Sequence, residues 1–518
     1  MSINPEHREQ SLSIWQLTAE PVEFASLDTS AFADVCVVGA GIAGLSVAYE
    51  IVASGRSVIV IDDSRIGAGM TGRTTAHLVN ALDDRYYELE RLHGEEKTRL
   101  AAQSHTAAIE RISAIVREEK IDCDFERLEG YLFNPPGESG DLLEREFEAA
   151  TRAGVSIQRV ERAPMGDFNT GPALRFLSQG QFHPIKYLTG LAAAIERRGG
   201  RIYTGTHAVK IEGGKTARVT TANGHAITAG SVVVATNTPV NDRYVIHTKQ
   251  APYTTYVIGI PVLHGTVRHA LYWDTAQEAG QQKHGGPVAY HYVRLQRAGD
   301  HDVLIVGGED HKTGQTDDFE AHFQRLESWA RSRFPCVGDV EYRWSGQVME
   351  PLDGMAFIGH NPADDENVYL VTGDSGTGIT HGVIAGMLIR DLITGHPNPW
   401  KELYEPGRIT PKAAGEFLRE NLNVAAQLRH YVTKGDVASA NEVEAGCGAV
   451  VREGLSKVAI YRDDDGVVHR LSAICPHLKC VVNWNSAERI WDCPCHGSRF
   501  DALGTVISGP SISNLETL

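Results

Sequence analysis

Two features of membrane or secreted chains are missing from this sequence. No uninterrupted apolar run approaches the ~20 residues that a membrane-spanning helix needs. The stretch Met1 to Leu17 has no basic start followed by an apolar core, so it does not read as a secretory signal. Positive charge is also in deficit. Lys and Arg number 49 against 66 Asp and Glu, a formal charge of −17 that would repel a phosphate backbone and makes nucleic acid an unexpected partner. Internal repeats and low-complexity segments are absent too, which argues against solenoid architectures. The expectation is a cytoplasmic protein with no membrane span. What is abundant is length and glycine: 518 residues suggest roughly three domains, and 52 glycines exceed the usual share of about 7%.

The eight cysteines are unevenly placed. Cys36, Cys123, Cys336 and Cys447 stand alone and read as small buried hydrophobes, whereas Cys475, Cys480, Cys493 and Cys495 crowd together. The crowded segment reads Cys475-Pro476-His477-Leu478-Lys479-Cys480, a spacer with Trp484 and Trp491, then Cys493-Pro494-Cys495-His496-Gly497-Ser498. Two Cys-and-His pairs present two thiolates and two imidazoles. A structural zinc site uses the same ligand set. The close C-x-H spacing and the two extra cysteines favour a [2Fe–2S] centre, with cysteines on one iron and histidines on the other.

C-x-H followed by C-x-x-H resembles the Rieske family, and CPCHGS is close to that family's most specific hexapeptide. The resemblance implies that Cys475 and Cys493 bind one iron and His477 and His496 the other. It also implies that Cys480 and Cys495 form a disulfide clasping the two cluster loops, as in the respiratory-complex type, although disulfides are unusual in the cytosol. Two positions depart from that type: Phe500 stands where a tyrosine usually hydrogen-bonds a ligand sulfur, and Lys479 where glycine is common. The first should lower the cluster potential and the second raise it.

Near the other end, the apolar run Ala33 to Val38 leads into Gly39-Ala40-Gly41-Ile42-Ala43-Gly44. Helically spaced Leu45, Val47, Ala48, Ile51 and Val52 follow, then a second strand ending at Asp62. This is the context that a dinucleotide fingerprint requires. Gly39 permits the turn, Gly41 lets backbone approach the pyrophosphate, Gly44 lets helix pack on strand, and Asp62 is placed for the ribose hydroxyls. NAD and FAD both fit.

Three further stretches favour FAD. The loop Gly67 to His77 includes Arg73 and Thr74, Ser231 to Asn237 reads as a strand ending at the nucleotide, and Gly373-Asp374-Ser375-Gly376-Thr377-Gly378-Ile379-Thr380-His381 opens a second helix. Such a helix start would stabilise negative charge on a reduced flavin. Together these resemble the D-amino-acid-oxidase superfamily, which includes sarcosine and glycine oxidases. With the C-terminal segment, the chain is similar to bacterial FAD–Rieske fusions. The implied fold is an α/β Rossmann-type FAD-binding domain with an antiparallel-sheet substrate domain, plus a C-terminal all-β Rieske domain. The expected boundaries are 1–411 for the oxidoreductase, with FAD-binding parts 33–160, 183–240 and 346–411 and substrate parts 161–182 and 241–345. A linker helix spans 412–431 and the Rieske domain 432–518. The expected FAD set is Gly39, Gly41, Gly44, Asp62, Arg73, Thr74, Val209, Gly373, Asp374, Gly376, Gly378, Ile379 and Thr380.

Residues 84–118 carry the spacing of one long amphipathic helix. The resemblance implies oxidation of a C–N bond in a small amine or amino acid. Arg294, Tyr256, His291 and His381 are the catalytic candidates, with Arg294 able to clamp a carboxylate. Lys249, Tyr253, Tyr292, Trp344 and Asp353 are further candidates for the substrate side. His77 lies where some relatives attach flavin covalently, but its offset from the glycines does not match. The strand Asp302 to Gly307 lacks the lysine that aids oxygen in sarcosine oxidases, which suggests a dehydrogenase. Electrons would leave singly through the cluster to an external protein such as a ferredoxin or cytochrome. The alternatives are a reductase fed through the cluster by a ferredoxin-like donor, and a non-catalytic electron carrier or redox sensor.

Overall fold

The computed structural model describes residues 11–135, 141–241, 246–275, 290–335, 337–362, 364–431 and 433–518. Cys336 lies outside the described residues.

β-Branched Val35, Val37 and Val38 fill the second half of the strand Ala31–Val38 with Cys36, and that half is fully buried. It pairs in parallel with Val58–Ile61 on one side and Ala226–Val234 on the other. Arg201–Tyr203 extends the sheet beyond Val58–Ile61, and Val368–Thr372 and Phe357–His360 extend it beyond Ala226–Val234. Burial on both faces explains why these strands read as continuous apolar runs. The helices Ile42–Ala53 and Gly378–Thr394 pack together on one face. A Cβ on Gly386 would lie 2.8 Å from Ser46 O, so the glycine sets how closely they approach.

The second sheet has nine strands. Its main path runs Tyr342–Pro351, Gln250–Leu263, His301–Lys312, Tyr292–Ala298, Leu271–Asp274, Glu126–Phe133, Ala173–Gln181 and His77–Leu78. Every pairing is antiparallel except Leu271–Asp274 with Glu126–Phe133. The helix Phe319–Arg333 seals one face through Phe323, Leu326 and Trp329. Glu126–Phe133 and Ile157–Val160, expected in the nucleotide-binding part, pair in this sheet instead. Alternation marks a strand but does not name its partner.

The expected long helix is two, Tyr86–His93 and Glu95–Glu119, separated by Gly94 at φ 82°. That left-handed backbone is available to glycine at little cost, and it breaks the helix without disturbing the apolar spacing. Ala414–Gln427, flanked by short 3-10 turns, leads to two antiparallel sheets. One comprises Cys447–Glu453, Ser456–Arg462 and Val468–Ser472; the other comprises Asn483–Asn485, Ile490–Asp492, Arg499–Asp501 and Val506–Ser508. Cys36 and Cys123 are buried, while Cys447 is only half-buried.

Candidate active site and cluster centre

The turn after Ala31–Val38 is built by close approach. Gly39 has φ 108°, and a Cβ there would sit 2.4 Å from Ala235 O; a Cβ on Gly44 would sit 1.8 Å from Gly39 O. Gly41 starts the helix and has no side chain to cap it, while Thr71 Oγ1 accepts the Ile42 N–H at 3.0 Å. Thr377 likewise makes no side-chain cap at the start of Gly378–Thr394. Both helix starts open on one cavity of about 620 Å³. Uncapped helix N-termini suit an anion, and the size suits a dinucleotide held in a partly enclosed cleft.

Among the residues expected at the cofactor, Gly39, Gly41, Asp62, Arg73, Thr74, Gly373, Asp374, Gly376, Gly378 and Ile379 line this cavity. Asp62 accepts the Ala40 N–H at 2.7 Å and the Ser64 N–H at 2.8 Å. Gly44 lies behind the wall, and Thr380 donates to Val79 O at 3.2 Å. Val209 is exposed on the strand Ala208–Glu212, and its neighbour Ala208 reaches the cavity instead.

The structure does not bring Arg294, Tyr256 or His291 to the cavity. Arg294 is fully buried, and its guanidinium donates to the carbonyls of Thr75, Ala76 and Phe182 and to Gln296 Oε1. It therefore braces the loop that ends at His77, behind the cavity wall, with its Nε buried and without a hydrogen-bond partner. Tyr256 is stacked on His322 beneath the helix Phe319–Arg333. His291 is held by Asp274 at 3.0 Å and stacked on Trp329. Strand alternation sends Tyr256 and His291 to the helix-covered face, whereas Arg294, between Val293 and Leu295 of that face, points the other way and is taken up by the loop before His77; the sequence alone does not reveal which face is covered.

His381 and His77 do line the cavity. Burial, aided by Arg408, lowers His381 to about 4 despite its contact with Asp374 O; burial and Arg294 lower His77 to about 3. Both are neutral at pH 7. Of the other candidates, Tyr292 lines the cavity, while Lys249 donates to the carbonyls of Pro406 and Arg408 and Asp353 pairs with Arg408. Trp344 donates to Arg73 O at 2.8 Å, and Tyr253 sits beneath Lys312.

One wall of the cavity is strongly acidic. Asp83, Asp310, Glu350 and Asp374 line it beside Trp273, Tyr290 and Tyr292, and Asp83 Oδ2 accepts the Tyr290 hydroxyl at 2.5 Å. Burial, with a minor contribution from neighbouring carboxylates, pushes Asp310 up to about 7; burial likewise brings Asp374 to about 6 and raises Glu350 well above the carboxylate range. Asp310 Oδ1 is buried with no hydrogen-bond partner. Among the described residues no lysine lines the cavity, and its arginines are Arg65 and Arg73. None of the acidic residues except Asp374 carried a motif, because three separate segments bring them together.

In the C-terminal unit Cys475 and Cys493 are buried outside any disulfide, with their thiols in mutual contact. The rings of His477 and His496 lie 5.1 Å apart, and His496 Nδ1 is buried without a partner. No three ligand-type side chains among the described residues converge as they would on a single metal ion. A thiol pair and an imidazole pair are the donor set of a [2Fe–2S] centre in which each pair binds one iron. Cys480 and Cys495 are joined in a disulfide. Lys479 adopts φ 65°, the left-handed conformation that glycine commonly supplies at this place in the family.

The two units are tightly docked. Glu488 forms an ion pair with Arg73 at 2.7 Å, both side chains 1% exposed, and also accepts from Ser345 N and Oγ. Burial raises the Glu488 carboxyl, but Arg73 and Arg499 outweigh it and hold the group below its usual value. His247, from the first unit, lies 4.9 Å ring to ring from His477. Gln347 Nε2 donates to Gly497 O at 2.9 Å, next to His496. Val506, Ile507, Ser508, Gly509, Ser511 and Ile512 form part of the wall of the first unit's cavity.

Comparison with known proteins agrees with this geometry. The family model for FAD dependent oxidoreductases (DAO) matches residues 34–392, and the Rieske [2Fe-2S] domain model matches residues 433–518. The chain is 28% identical over 516 residues, 99% of its length and 98% of the other's, to the Bacillus subtilis (strain 168) protein that carries the name Rieske 2Fe-2S iron-sulfur protein YhfW. It is 30% identical to gamma-glutamylputrescine oxidoreductase of Escherichia coli (strain K12), over 72% of this chain and 86% of that one. Glycine oxidase from Geobacillus kaustophilus superposes with a TM-score of 0.60 at 16% identity, covering 73% of this chain and all of that one. The chain belongs to the DAO family of FAD-dependent oxidoreductases and carries a C-terminal Rieske [2Fe–2S] domain.

Proposed function

We propose that this oxidoreductase dehydrogenates an amine bound as a cation, and that the electrons leave singly through the Rieske domain to an external redox protein such as a ferredoxin or cytochrome. The observation that carries this is the shared cavity: flavin-loop residues and Rieske residues 506–512 line the same space, and the wall beside Tyr290 and Tyr292 is acidic.

Bound FAD supplies the acceptor for a hydride equivalent from the carbon beside nitrogen. Gly39, Gly41 and Asp62, with the start of Gly378–Thr394, would hold it, and Cys475, Cys493, His477 and His496 would hold the cluster. The substrate side is the work of carboxylates and rings. Asp83 and Asp374 attract an ammonium group, Glu350 is held protonated beside them by burial, and the faces of Trp273, Tyr290 and Tyr292 give the cation aromatic contact. Asp310 Oδ1 is placed to take the ammonium proton, freeing the nitrogen lone pair, because burial brings its carboxyl to about 7, near the operating pH. Arg294 lies outside the cavity wall and offers no clamp there for a substrate carboxylate. This favours amines and diamines over free amino acids. The absence of a lysine from the described cavity wall supports a dehydrogenase.

The test is an anaerobic screen of purified protein with alkylamines, diamines and amino acids, read by flavin absorbance and by electron paramagnetic resonance (EPR) of the reduced cluster. Amine-driven bleaching followed by cluster reduction is expected. If no amine changes either cofactor, the reading fails.

A further inference from the structure

We propose that Gln347 physically links the flavin to the cluster loop, its amide bonded to the loop at one end and to a ring N–H of bound FAD at the other. The inference rests on the flavin-to-cluster relay proposed above and adds the residue that fixes the contact between the two centres.

Gln347 lies in the strand Tyr342–Pro351, opposite Thr254, and its backbone N–H donates to Met70 Sδ at 3.1 Å. It is thus tied to the glycine-rich loop of the flavin site, and it lines the cavity between Gly346 and Val348. The side chain is 3% exposed. Its Nε2 donates to Gly497 O at 2.9 Å, and because a carbonyl can only accept, this bond also fixes which end of the amide is which. Its Oε1 is buried and has no hydrogen-bond partner among the described residues. A buried acceptor left unmade is costly, so an orphan amide oxygen on a residue that lines a cofactor cavity implies a donor on the cofactor. The isoalloxazine ring carries such an N–H.

The other end is equally constrained. Gly497 follows His496 directly, donates to Cys493 O at 3.1 Å, and has φ 80°. A Cβ there would lie 2.6 Å from Pro252 Cβ and 2.7 Å from Gln347 Nε2. The cluster loop is therefore pressed against the flavin unit at the residue next to a ligand. Gln347 acts as a positioning residue: it sets the relation between the two centres and does not react.

The experiment compares cluster EPR spectra of the full-length protein with FAD bound and with FAD reversibly removed, each reduced with dithionite, in the wild type and in Gln347→Met, which keeps the length and loses both bonds. Iron, sulfide and flavin contents are measured on every sample. A shift in wild-type g-values on FAD removal is expected. Gln347→Met should give one cluster spectrum whether flavin is present or absent, and photoreduced flavin should pass electrons to its cluster more slowly than in the wild type. Wild-type spectra that do not respond to FAD, or a fully loaded Gln347→Met that responds as the wild type does, would overturn the proposal. If Gln347→Met does not retain FAD, the wild-type pair decides alone. No substrate enters the test, so failure to find an oxidisable amine leaves its outcome readable.

Discussion

Asp310 is the residue on which the proposed chemistry turns. Its carboxyl is raised from 3.8 to about 7, so it is protonated in acid and becomes a proton acceptor as pH rises through neutrality. The rate constant kcat/KM should therefore climb between about pH 6 and 8, the acid limb of the usual bell. Asp310→Asn should cost about 10²- to 10⁴-fold in kcat/KM and erase that limb, with FAD content unchanged. Because the folded value lies above the unfolded one, the same group favours the folded state below pH 3.8, and that contribution is lost as pH rises towards 7. Glu488 shows the opposite logic. It is held charged between Arg73 and Arg499, and Glu488→Ala would leave Arg73 buried without its carboxylate. A loss of about 3–5 kcal/mol is expected, read as a lower denaturant midpoint.

At the scale of elements, the nucleotide turn is legible in the residues themselves. Gly39, Gly41 and Gly44 sit between a strand and a helix, and each spacing answers a local steric demand. Gly44→Ala brings a Cβ within 1.8 Å of Gly39 O, so helix and strand must part; purified protein should carry little FAD by its ratio of visible to ultraviolet absorbance. The cluster ligands are legible for the same reason, since four residues in two short loops define them. The acidic wall is not. Asp83, Asp310 and Glu350 come from a loop and two strands distant in the chain, and only the pairing of the second sheet brings them together. Arg294 misleads because charge and strand position suggest a clamp, while its Nη1 is bonded to three backbone carbonyls behind the cavity wall. Gly94 is the mirror case: the apolar spacing runs on through a break that one left-handed residue makes.

Across the whole molecule, docking unites the two cofactor units. The Arg73–Glu488 pair, the Gln347–Gly497 bond and the cavity wall at 506–512 lie along one interface. Ile512→Asp would set a carboxylate in the cavity wall beside His207, whose Nε2 lies 3.4 Å from Ile512 O. FAD affinity should fall by about tenfold, equal to ~1.4 kcal/mol, while iron and sulfide stay at wild-type levels. Unchanged FAD affinity would mean that this segment does not touch the cofactor.

The 506–512 wall also bears on how the protein is made. The glycine turn at Gly39 emerges early in synthesis, yet the cavity it serves lacks part of its wall until residue 512 has been added. The wall is thus complete only after both cluster loops have been made. A chain stalled before Val506 would lack six residues of that wall, and its FAD content beside that of the full chain would read how much of the pocket the iron–sulfur unit supplies.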